Sequence, residues 1–339
     1  MAYTTIDDPE AHFQAVIYTG DGSADHAITL PADTDMQPDF VWIKNRDGAD
    51  SHCLFDAARG ATEVLHCDTT ALEATDADTL DSFTSDGFQV DADVKVNTNT
   101  EKYVAWNWKA NGSGSSNTDG SINTTKTSAN TTSGFSINTF TGSGSAATIG
   151  HGLGVVPKMI IVKARGQAST WAVYHASLAA TQMLRLEGTN AVGTETGWWN
   201  DTAPTSTLFT IGGNHYANTQ VAYCFHDIQG FSKFDSYTGN GNASGPMIVT
   251  GFRPAFVIIK NPGAGEGWLV FDNKRLGYNV DNNSFYANAD YTEATGDYMD
   301  IVSNGFKPRS TNAVINGSGA TYVYMAFAEA PFVNSNGVP

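Results

Sequence analysis

Residues 18–23 read YTGDGS, and the string returns as FTGSGS at 140–145 and as YTGNGN at 237–242. Taken alone, the G-x-G suggests the start of a phosphate-binding loop. Such a loop opens a helix inside a βαβ unit and carries a third glycine. None of the three copies leads into a helical pattern. Each follows an alternating run (FQAVIY, FSINTF, KFDSY) and precedes small polar residues and another short apolar run. The string therefore reads as a tight turn between strands, where glycine supplies positive φ, and not as a nucleotide site.

Other blocks recur in the same order around that turn. PDFVWIKNR at 38–46 returns as PKMIIVKAR at 157–165 and PAFVIIKNP at 254–262. CLFDAARG at 53–60 has weaker echoes in AVYHASLA at 172–179 and LVFDNKRL at 269–276. YVAWNWKA at 103–110 matches QVAYCFHD at 220–227 and YVYMAFAE at 322–329. Lys44, Lys163 and Lys260 keep the same two spacings as Phe55, Tyr174 and Phe271. A constant block order over three stretches of roughly 100 residues is the signature of internal repetition.

Each stretch reads as six to eight short strands with turns every 8–12 residues, as in an antiparallel sandwich or barrel. Composition agrees. Charged residues are only 16% of the 339, while glycine, threonine, asparagine and serine abound, which suits strands and turns rather than long helices. The fold class expected is all-β: three tandem antiparallel β-sandwich or barrel-like repeats. The near-continuous apolar run FVWIK reads as a central strand buried on both faces. In the last strand, Val104, Trp106 and Trp108 share one side, in phase with Val221, Tyr223, Phe225 and with Val323, Met325, Phe327. That phase lock marks a core face rather than a ligand platform.

The boundaries follow. Residues 1–110 form the first repeat with a short N-terminal segment, 134–232 the second and 233–332 the third, with a tail at 333–339. Residues 111–133 are rich in Gly, Ser, Asn and Thr. They read as a flexible or extended linker or an exposed hairpin, with repeat one hinged and repeats two and three packed closely.

The net charge of −17 makes nucleic acid an unsuitable partner, since phosphate binding needs a basic stripe. No secretory signal opens the chain and no stretch approaches 18 consecutive apolar residues, so no membrane insertion is expected. Cys53, Cys67 and Cys224 are odd in number and lack zinc spacing; they read as buried free thiols, with a Cys53–Cys67 bridge as the alternative.

Chemistry-bearing patterns are sparse. There is no GxSxG, and the eight histidines are scattered, with none in the third repeat. Asp56 and Asp272 correspond, but His175 stands between them, which weakens a shared acid/base role. The pairs Asp76/Asp78 and Asp91/Asp93 could ligate calcium, yet neither fits the spaced EF-hand loop, so no cofactor is expected. The recurrent Lys44, Lys163 and Lys260 read as lysines whose stems cover the core and whose heads reach solvent. Trp198 and Trp199, in TGWWND with Asn200 and Asp201, have no counterpart in the other repeats. They are the candidate recognition site, with local packing as the alternative.

The opening MAYTTIDDPEAHFQ, the repeated turn and P-FV-IK blocks, and the closing YVYMAFAEAPFVNSNGVP resemble a family of bacteriophage virion proteins common in marine phages and described as tail-fibre-like or structural. The resemblance spans essentially the whole chain. It implies a virion location after synthesis in the host cytoplasm, and it brings no catalytic or binding residues with it. The expected function is a non-enzymatic structural protein: a compact tail fibre or spike, or a receptor-binding adhesin. Its partners would be other virion proteins and a host surface glycan or protein, in a homo-oligomer with a trimer favoured. A capsid decoration protein is the first alternative and a polysaccharide-degrading tailspike the second.

Overall fold

The computed structural model describes residues 4–275 and 283–331; the tail expected at 333–339 lies outside them. Regular structure is almost entirely antiparallel strand. The described helices are the short turns Pro9–Ala11, Val94–Asn97 and Ala313–Asn316, none of them long or apolar enough to cross a membrane.

Three large sheets share one strand order. In the first, Phe13–Thr19, Lys102–Trp108, Phe40–Asn45, Cys53–Asp56 and Gly60–Leu65 lie side by side, with Ala74–Thr75 at the edge. In the second, with Lys126–Asn130 added at the edge, the order is Phe135–Thr141, Thr219–Phe225, Met159–Ala164, Ala172–His175, Gln182–Arg185 and Gly193–Thr194. In the third it is Ser232–Thr238, Thr321–Pro331, Phe252–Lys260, Trp268–Asp272 and Phe285–Tyr286. The last long strand of each stretch thus inserts between its first and third. We call these sheets, with their small companion sheets, units one, two and three. Each TGxG string follows the first strand of its unit. An added Cβ on Gly20 would lie 2.2 Å from the Thr98 carbonyl oxygen, and Gly22 has φ +69°, so close backbone approach and a left-handed turn both require glycine there.

Prolines mark the third strand of each sheet for a stated reason. Pro38 and Pro157 stand just before Phe40–Asn45 and Met159–Ala164, where a missing N–H breaks no ladder bond. Pro254 falls inside Phe252–Lys260, and the register shifts on both sides of it. A bulge accommodates it.

Alternation sends the two faces of each large sheet into different cores. In unit one, Val41, Ile43, Phe55, Tyr103 and Ala105 pack with Ile28, Leu80, Phe88 and Val90 of a three-stranded sheet, His26–Thr29, Gly87–Val90 and Leu80–Thr84. Unit two packs Ile160, Val162, Ala172 and Ala222 on Ile149, Phe209 and Ile211 of a two-stranded sheet, Ala147–Gly150 and Leu208–Ile211. Unit three has the three-stranded form again, from Ile248–Val249, Gly305–Pro308 and Met299–Val302.

The opposite faces meet one another. Phe40, Trp42, Trp106 and Trp108 of unit one share a single cluster with Ile161, Tyr223 and Phe225 of unit two and Phe256, Met325 and Phe327 of unit three. Phe40 lies 4.7 Å from Tyr223, and Trp108 5.7 Å from Phe327, between ring centroids. The in-phase triplets of the last strands are therefore core residues, as their pattern indicates. The common core keeps a void of about 10 Å3 lined by apolar side chains from all three units, too small and too apolar to hold a ligand.

Corresponding bonds close the assembly into a ring. Trp171 Nε1 of unit two donates to the His66 carbonyl of unit one at 3.0 Å, and Trp268 Nε1 of unit three donates to the Arg185 carbonyl of unit two at 2.8 Å. His52, at the matching place in unit one, lies with Nε2 3.1 Å from the Tyr286 carbonyl of unit three. Trp42 Nε1 donates to His52 Nδ1, so Nε2 carries the hydrogen and donates. Each unit is thus bonded to the next by a ring N–H and a backbone carbonyl at matching places. Unit one is therefore not hinged: it touches both neighbours as they touch each other. Part of residues 111–133 is joined to the second sheet. Lys126–Asn130 pairs along Phe135–Thr141, and Ala110 and Asn111 are tied by their N–H groups to Asp39 and Ser128.

Candidate functional site

The seams between units gather most of the buried ionisable groups. At the first seam Tyr223 of unit two donates its hydroxyl to Asp56 of unit one at 2.8 Å. Arg59 also binds Asp56 and reaches Glu73, which in turn is clamped by Arg165 of unit two at 2.6 and 2.9 Å. Two carboxylates and two guanidiniums neutralise one another. Burial alone would push the Glu73 carboxyl up, but Arg165 and Arg59 hold it below its ordinary value.

The seam between units one and three repeats the arrangement. Trp106 Nε1 donates to Asp272 at 3.0 Å, Arg275 binds Asp272, and Arg46 binds Glu293 with both nitrogens at 2.9 Å. Backbone bonds match as well: Glu73 N–H donates to the Arg165 carbonyl and Glu293 N–H to the Arg46 carbonyl.

The third seam keeps the backbone bond, Val192 N–H to the Pro262 carbonyl at 2.7 Å, but changes the side chains. Met325 stands where Trp106 and Tyr223 stand and has no N–H or O–H to donate. A carboxylate opposite it would be buried without a partner, which is costly. His175 occupies that place instead. Ser177 N–H donates to its Nδ1, so Nε2–H donates to the Tyr324 carbonyl at 3.2 Å. Burial lowers the imidazole pKa to about 4, keeping it neutral. Leu178 replaces the arginine. The mismatch of His175 with Asp56 and Asp272 thus has a structural cause.

Lys44, Lys163 and Lys260 do not reach solvent, which corrects the sequence expectation. All three are fully buried. Each ammonium donates to carbonyls of the polar turn after its strand: Asn45 at 2.8 Å, Ser169 at 2.6 Å, Asn261 at 2.7 Å. Lys163 also donates to Thr70 of unit one and Lys260 to Thr189 of unit two. The turn folds over the head, and the neighbouring unit seals it. Burial lowers each pKa to about 8.

The Trp198–Trp199 pair is also corrected: it presents no indole face to a partner. Trp198 is 8% exposed and Trp199 1%. Trp198 Nε1 donates to Glu195 at 2.8 Å, and both rings pack on His215. Both belong to the sandwich core of unit two. The companion sheet of that unit has two strands, where Leu80–Thr84 and Met299–Val302 supply a third elsewhere. Only Asn200 and Asp201 of the candidate four are exposed, in left-handed turn geometry at φ 49° and 51°.

The remaining candidates are local. Asp76 accepts the Asp78 N–H, Asp91 that of Asp25, and Asp93 caps the helical turn Val94–Asn97. Among the described residues no cluster of His, Cys, Asp and Glu is arranged to hold a metal. The three cysteines are free and buried, so Cys53 and Cys67 form no bridge.

One feature escaped the sequence reading. Between units two and three an open pocket of about 470 Å3 is lined by Glu187, Asn190, Tyr286, Asn288 and Tyr291, with Gly267 at its wall. Its floor has threefold counterparts. Glu187 accepts the Trp171 N–H and Asn288 that of Trp268, as Asp68 accepts that of His52. The tyrosines have no tyrosine counterparts: His66 and Arg185 stand at the place of Tyr286, Ala71 and Asn190 at that of Tyr291. The signal in the sequence was a pair of tyrosines in a polar, acidic segment, with no repeat to draw attention to it.

No curated protein and no solved structure matches the chain. The sequence model of one family, described as a domain of unknown function (DUF7483), matches residues 8–331, and the chain belongs to that family.

Proposed function

We propose that the protein is a non-enzymatic structural component of a bacteriophage virion, a compact tail spike or adhesin that contacts the host surface. The observation that carries this reading is the closed ring of three like units within one chain. Virion parts sit on symmetric positions, and a body with its own threefold arrangement fits such a position as a single copy or within a larger symmetric assembly. The resemblance of the chain's opening, repeated and closing motifs to virion proteins supports it. The ionisable groups buried at the seams are paired with one another or bonded to backbone carbonyls, as in a rigid building block.

The test is to incubate purified, fluorescently labelled protein with susceptible host cells and with undecorated capsids. Binding to cells that is lost after glycan removal supports the adhesin. Binding to capsids alone makes it a decoration protein, seated at a threefold position. Release of oligosaccharides from host polysaccharide would turn the reading to a depolymerising spike.

A further inference from the structure

The threefold arrangement is broken at the exposed pocket between units two and three. There Gly267 replaces Ser51 and Thr170 of the other units. An added Cβ at 267 would lie 2.4 Å from Tyr286 Cδ1, so the glycine makes room for the phenol ring against the backbone. Tyr286 contacts Tyr298, and burial with that neighbour raises its pKa to about 12, so it stays a neutral phenol. Tyr291 is 63% exposed. Its ring meets that of Tyr286 edge to face, 6.4 Å apart and at 80°. The pair forms a corner of two aromatic faces. Around it stand the side chains of Asn190, Asn288 and Glu187.

We infer that this corner binds a neutral glycan, with a pyranose ring laid on Tyr291. A sugar ring has an apolar C–H face and a rim of hydroxyls. The first suits an aromatic face and the second suits amides and a carboxylate set at its edge. No buried core requires a tyrosine at 291: its ring is exposed and packs on Tyr286 at the mouth of the pocket. The class is neutral because the one charged side chain of the lining is the carboxylate Glu187, on a chain of net charge −17; an acidic saccharide would be repelled. The ammonium of Lys260, which bonds the Thr189 carbonyl of the lining, is buried and also committed to the carbonyls of Asn261 and Ala264.

This inference rests on the adhesin reading, and the experiment separates the two. The intact protein, Tyr291→Ala, Tyr291→Phe and Asn190→Ala are applied to an array of neutral and acidic glycans and to host cells. Thermal melts verify that each variant folds, as expected for exposed positions. The expected result is binding to neutral glycans, weakened about tenfold by Y291A, less by N190A, and largely kept by Y291F. Equal binding by wild type and Y291A, or binding to acidic glycans alone, overturns the site. Cell binding that survives glycan removal overturns the site and leaves the adhesin standing. Binding to capsids, with none to glycans or cells, overturns both.

Discussion

Tyr223 and Asp56, 167 residues apart in sequence, share a hydrogen bond of 2.8 Å in the buried seam between units two and one. The carboxylate also holds Arg59, so the two residues contribute unequally. Tyr223→Phe removes one donor and leaves the ion pair, for a loss of about 1 kcal/mol. Asp56→Asn breaks the buried ion pair with Arg59 and leaves Glu73 as the guanidinium's remaining carboxylate, for a larger loss of about 3 kcal/mol. Urea unfolding of both variants measures the difference. Equal losses would sink the ion-pair account.

The third seam tests the same logic in reverse. His175→Asp places a carboxylate opposite Met325 and beside Leu178, with neither donor nor arginine. It should destabilise by about 3 kcal/mol or more. Adding Met325→Tyr and Leu178→Arg rebuilds the arrangement of the first seam and should restore part of that loss. A triple variant no more stable than the single one would argue against equivalence of the seams.

The buried lysines set a rise of stability with pH. Their folded pKa values, about 8, lie below the ordinary 10.5. Above pH 8 the unfolded chain therefore holds more protons than the folded one, and stability increases with pH. Cys53 and Cys67, raised above 9.0 by burial, and Tyr18 and Tyr237, raised above 10.0, act in the opposite sense at higher pH. The rise is thus confined to roughly pH 8–9. Urea midpoints across that interval should climb for the wild type and climb less for Lys163→Met.

The buried histidines act at the acid side. His175 and His215 are held neutral by burial, at about 4 against an ordinary 6.5. Between those values the unfolded chain binds more protons, so their contribution is complete above 6.5 and falls as pH drops toward 4. Raised carboxyls at Asp68 and Asp227 offset part of the loss. His175→Gln should flatten the decline in melting temperature between about pH 6.5 and 5.

All seven tryptophans are buried. Native fluorescence should be blue-shifted and little quenched by acrylamide. Trp199→Ala should cost about 3–5 kcal/mol of stability, read by urea unfolding. A variant that kept full stability while losing cell binding would return Trp199 to the role of recognition residue.

Much of the fold was legible in the chain itself. Recurrent turns, β-rich composition and the phase of Val104, Trp106 and Trp108 identify an all-β architecture and its buried faces, because strand periodicity is a local property. What those faces pack against is not local. Whether Trp106 meets solvent, a small sheet or another unit depends on contacts more than 100 residues distant, such as its bond to Asp272. Only the packing of the units decided that Lys163 is sealed by Thr70 and that His175 rather than a carboxylate faces Met325, and only packing within unit two buried Trp198 and Trp199. The tyrosine corner belongs to the same class. Tyr286 and Tyr291 become a site only where unit three meets the Glu187–Asn190 turn of unit two, since a pocket is made by surfaces that tertiary packing brings together.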